Sequence, residues 1–177
     1  MKQTFALRIA LGALAVLGVA NAQTTSGGTI GVTADIQGSI NLIFSTATGG
    51  FAVTGTGTAT ASLPFGSVQM YGGTVPTNVT RTLTGITSFT LSTPINVEVD
   101  LANQTSANYK LLATLNAADT VNTWTFNTVA VTAAGIVPQI TAGSYGSAAP
   151  FVFAVTIPAS NTSGSLSNSL NFTATAN

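Results

Sequence analysis

Few side chains in this sequence can do chemistry. Four carboxylates (Asp35, Glu98, Asp100, Asp119) stand beside four bases (Lys2, Arg8, Arg81, Lys110), and there is neither His nor Cys. Without imidazole or thiol, Ser-His-Asp and Cys-His mechanisms have no base or nucleophile, and zinc-type sites have no nitrogen or sulfur ligands. Glycoside hydrolysis needs only two carboxyls. Glu98 and Asp100 are two residues apart on an alternating stretch, hence on one face and about 6.5–7 Å apart at ~3.3 Å per residue. That spacing could flank a sugar bond. The simpler reading is the solvated face of an amphipathic strand, with Ile95, Val97, Val99 and Leu101 facing the core. No aromatic cluster accompanies the pair, so the chain reads as a non-enzyme.

Asp119 lies in Asn116-Ala-Ala-Asp-Thr-Val-Asn122, where carboxylate, amide and carbonyl oxygens could converge on a weakly held calcium. An Asx-type turn explains the same residues without an ion, and no metal or cofactor is expected. Trp124, the only tryptophan, is two residues from Phe126 and is expected on the core face of a strand. Sequons at Asn78, Asn103, Asn161 and Asn171 are no more than chance gives in so Ser/Thr-rich a chain.

The positioning elements follow from patterning. The first 22 residues carry a basic start (Lys2, Arg8), an apolar run over residues 9–19 and the small-x-small site Ala20-Asn21-Ala22, which together predict a cleavable export signal with Gln23 as the mature N-terminus. The run is too short to span a bilayer comfortably. Removing Lys2 and Arg8 leaves two bases and four acids, a net charge of 2 − 4 = −2. With no basic patch, nucleic-acid binding and an electrostatic membrane footprint are both excluded. Charged residues are only 5% of the chain while 45% are hydrophobic, so little like-charge repulsion keeps copies apart.

After a flexible lead-in over residues 23–28, period-2 alternation dominates. It runs through Ile30, Val32, Ala34 and Ile36, resumes at Ile40, Leu42 and Phe44, and recurs at 95–101, 109–115, 151–157 and 170–175. Further strands are expected at 51–60, 79–83, 86–91, 124–131 and 136–140, with prolines at or near their ends. Residues 29–177 are therefore expected to form a single antiparallel β-sandwich, immunoglobulin-like, with a jelly roll as the alternative. Matching faces predict that residues 96–101 pair with 108–112, setting Glu98 opposite Lys110.

The layout resembles subunits of bacterial chaperone–usher pili and the related spore-coat-U-like secreted proteins. The stretch Thr29-Ile-Gly-Val-Thr-Ala-Asp-Ile36, continuing to Phe44, is similar to the N-terminal extension that completes a neighbour's sheet in those families. Leu63-Pro-Phe-Gly66 is similar to an early Phe-Gly step in them. The chain departs from the pattern in having no cysteine pair and no penultimate aromatic. The resemblance implies a secreted, periplasmic or cell-surface structural subunit that pairs with other copies of itself through Ile30, Val32, Ala34 and Ile36. A monomeric extracellular module binding carbohydrate or protein is the alternative, and a hydrolase using Glu98 and Asp100 is a third reading.

Overall fold

A computed structural model describes residues 31, 33–135, 137–161 and 164–177. The chain divides into Met1–Ala34 and Asp35–Asn177, and the fold below is that of the second unit. The expected signal segment and lead-in lie outside the described residues, as do Ile30 and Val32.

Among the described residues nine strands follow one another: β1 (Ser39–Thr46), β2 (Thr80–Thr84), β3 (Ser88–Ala102), β4 (Tyr109–Leu115), β5 (Thr123–Phe126), β6 (Val129–Val131), β7 (Val137–Gly143), β8 (Ala149–Pro158) and β9 (Leu170–Ala176). They form two antiparallel sheets packed as a β-sandwich. The larger has the order β1-β3-β8-β5-β6, with β2 also paired to β3; the smaller is β7-β4-β9. Among the described residues, no helix is long and apolar enough to cross a membrane.

Strand β3 organises the larger sheet. Alternate residues Phe89, Leu91, Thr93, Ile95, Val97 and Val99 are buried, because successive side chains of a strand point to opposite faces. The sequence predicts two strands here, separated near Pro94, but the structure has one of 15 residues. Pro94 is tolerated because β1 ends with Thr46 opposite Ile95 and β2 begins with Thr80 opposite Ser92, leaving a gap beside it. The Pro94 carbonyl points at Gly50 in the gap between them, so the missing N–H falls where no ladder bond is due. The side chain of Thr93 fills the gap instead. Its hydroxyl accepts from the Phe51 N–H (2.7 Å) and donates to the Asn78 carbonyl (2.9 Å), fastening both ends of the long β1–β2 connection to β3.

The expected hairpin of residues 96–101 with 108–112 is not formed. Strands β3 and β4 lie in different sheets; Glu98 is opposite Ile43 on β1, and Lys110 is opposite Thr175 on β9. The chain crosses between sheets through a turn in which Asn103 takes φ 55. Two alternating strands bury their apolar faces equally well edge to edge or face to face, and periodicity does not distinguish the two. Residues 51–60 also form no strand. Gly55 and Gly57 take φ values of 80 and 82, which break an extended ladder, leaving the isolated bridges Phe44 to Thr58 and Thr54 to Ser62. The expected strand at 124–131 is instead a hairpin, β5 and β6, turning on Asn127 and Thr128, both with positive φ.

The core joins the sheets through aromatic rings. Phe172 on β9 stands 5.1 Å from Phe44 and 4.9 Å from Phe126, and Phe126 stacks on Phe151 at 5.5 Å. Trp124 is buried, as expected.

Candidate functional site: an uncharged slot between two sheet edges

The sandwich is asymmetric, since a six-stranded sheet faces only three strands. Where the smaller sheet stops, a cavity of about 1600 Å³ opens over Phe89 and Leu91 of β3, Val155 and Ile157 of β8, and Trp124. Small-molecule pockets are about 300–1,000 Å³, so this space is larger than most of them. None of the described residues lining it is charged.

Two strand edges border the cavity. From β9, consecutive residues Leu170 to Ala174 line it; from β1, Ile40, Leu42 and Phe44 line it together with Asn41. A strand that met the cavity with one face would contribute alternate residues only, so β9 presents its main-chain edge, while β1, the last strand of the larger sheet, borders the cavity mainly with its inner face. β9 pairs with β4 on one side and, among the described residues, with no strand on the other. β1 pairs with β3; among the described residues, only Phe44 is engaged on its other side, its N–H donating to the Thr58 carbonyl at 2.9 Å and its carbonyl accepting from the Gly57 N–H at 2.8 Å. Unpaired N–H and C=O groups along such edges are a template for a further strand.

The open edge of β9 is held firmly at both ends. At its start the Asn116 N–H donates to the Ser169 carbonyl (2.8 Å), and the Asn168 side chain donates to the Ala117 carbonyl (2.9 Å). At its end the Asn177 N–H donates to the Asn108 carbonyl (3.0 Å), and the Ser106 hydroxyl donates to the Asn177 carbonyl (2.8 Å). The Tyr145 hydroxyl also donates to the Asn108 carbonyl, at 2.9 Å. The rings of Tyr145 and Tyr109 pack 5.5 Å apart at this closed end. Burial, then the neighbouring Tyr145, pushes the Tyr109 hydroxyl above its ordinary pKa of 10.0.

The residues singled out from sequence fall in different places. Glu98 and Asp100 share the outer face of β3, opposite Ile43 and Asn41, and neither borders the cavity. Glu98 and Lys110 are not brought together. Asp119 is enclosed by donors: the N–H groups of Val121 (3.0 Å) and Asn122 (2.8 Å), the Asn122 amide (3.0 Å) and the Trp124 indole N–H (2.7 Å). Burial by itself would raise its pKa, but these bonds prevail and bring the carboxyl down from 3.8 to about 2. Oxygens already saturated by N–H groups are poor calcium ligands, so the Asx-type turn is the better account. Among the described residues, no three His, Cys, Asp or Glu cluster to hold a metal.

Of the candidate assembly strand, residues 33–38 form no strand, and Ile36 is 75% exposed. The supposed continuation to Phe44 is instead β1, built into its own sheet. Leu63-Pro-Phe-Gly66 borders the slot. The slot itself was not foreseen from sequence, because edges are exposed only by strand order. Comparison of the chain with protein-family models, curated proteins and solved structures finds no match.

Proposed function

We propose that this chain is an exported, non-enzymatic structural subunit that assembles by strand addition, residues 29–36 of one copy entering the slot between β1 and β9 of the next. The observation that carries the reading is the open edge of β9 and the largely open edge of β1 beside an uncharged cavity of about 1600 Å³. An added strand would satisfy open main-chain groups while its alternate side chains fill the apolar floor. The segment matches that need: Ile30, Val32, Ala34 and Ile36 alternate with Gly31, Thr33 and Asp35, and Asp35 is its only charge. Each large anchor adds about 1.5–3 kcal/mol when fully buried. The site of action is the periplasm, cell surface or medium, and the partner is a second copy of the chain.

The test compares the protein beginning at Gln23 with one beginning at Gln37. The longer form is expected to make concentration-dependent oligomers by light scattering; the shorter is expected to stay monomeric and bind a peptide of residues 29–36. A long form that is monomeric at high concentration and a short form that unfolds would overturn the proposal.

A further inference from the structure

The slot has an occupant of sorts along one wall. Residues 63–70 border it, and Leu63, Phe65, Val68 and Met70 are half-buried against the core. The ring of Phe65 stands 5.3 Å from Phe51 and 6.2 Å from Phe153. Phe153 belongs to the inner face of the larger sheet, which an added strand would have to cover.

The main chain of this segment is hardly engaged. Among the described residues its one backbone-to-backbone hydrogen bond is local, from the Phe65 N–H to the Leu63 carbonyl at 3.0 Å. A single side chain grips it: Nη1 of Arg81, on β2, donates to the Gln69 carbonyl at 2.7 Å and to the Gly72 carbonyl at 2.6 Å. Arg81 is the only arginine after Arg8. Meanwhile Thr93 holds the ends of the β1–β2 connection independently, at Phe51 and Asn78. The middle can therefore leave without loosening either neighbouring strand.

We infer that residues 63–70 are a displaceable plug of the slot, pinned by Arg81, and that its withdrawal sets how fast a strand enters. The inference rests on the strand-addition reading. The plug contributes buried side chains and the Arg81 hydrogen bonds, whereas an incoming strand contributes buried side chains and a whole ladder of main-chain bonds, so the exchange runs toward the strand. A subunit would then keep the part of the floor at Phe153 covered by Phe65 until a partner arrives, which limits the apolar surface exposed to wrong partners.

The experiment is hydrogen exchange on the mature chain at low concentration, with and without a peptide of residues 29–36, in the parent and in Arg81→Gln. Peptide is expected to protect the amides of β9 while exchange at 63–70 speeds up. Arg81→Gln is expected to raise exchange at 63–70 without peptide and to take up peptide at least ~10-fold faster, as the loss of a charge-assisted hydrogen bond implies. Protection of β9 with 63–70 unchanged, and equal uptake by both proteins, would overturn the plug while leaving strand addition standing. No protection of β9 in either protein would overturn strand addition and the plug with it.

Discussion

Replacing Asp119 by Ala tests how one turn holds the only tryptophan. The carboxylate accepts from two main-chain N–H groups, one amide and the Trp124 indole, and Trp124 is only 6% exposed. A buried donor left without a partner costs about 1–3 kcal/mol, and losing a carboxylate that caps turn N–H groups costs about 1 kcal/mol more. The sum is about 2–4 kcal/mol, or roughly 4–16 °C at ~2–4 °C per kcal/mol for a domain this size. Urea and thermal unfolding followed by Trp124 fluorescence measure it directly. The pH dependence gives a second check. The folded pKa, about 2, lies below the ordinary 3.8, so the carboxylate's contribution is full above about pH 4 and is lost as pH falls through 2. The gap between parent and variant should shrink over that window. A deficit under ~1 kcal/mol at pH 7, or a gap that stays constant from pH 7 to pH 2, would refute the reasoning.

Thr128→Gly should stabilise the β5–β6 hairpin by up to ~1 kcal/mol, since a β-branched residue at φ 68 is strained and glycine is not; the check is a higher melting temperature. Gly143→Ala should destabilise by about 1–3 kcal/mol, because the new Cβ would collide with the ring of the buried Tyr109; urea titration reads the loss. Thr93→Val keeps the side-chain shape but removes the hydroxyl that joins Phe51 and Asn78. It should cost about 1–3 kcal/mol and make residues 47–79 more sensitive to limited proteolysis.

The sequence by itself determined the class of structure. Alternation at Phe89 to Val99, Tyr109 to Leu115 and Phe153 to Ile157 reappears as buried inner faces, because a two-residue period follows from strand geometry wherever one side meets a core. It also determined which chemistries have no residues to perform them. What only the tertiary structure decided is adjacency. Glu98 and Lys110 alternate correctly yet lie in different sheets, since face-to-face and edge-to-edge burial use the same pattern. Pro94, which reads as a break, sits inside a continuous strand because two partners change over beside it. The slot is of the same kind. β1 and β9 are separated by more than a hundred residues of sequence. They border one cavity because six strands face three, and strand order is set by long-range packing rather than by local residue type.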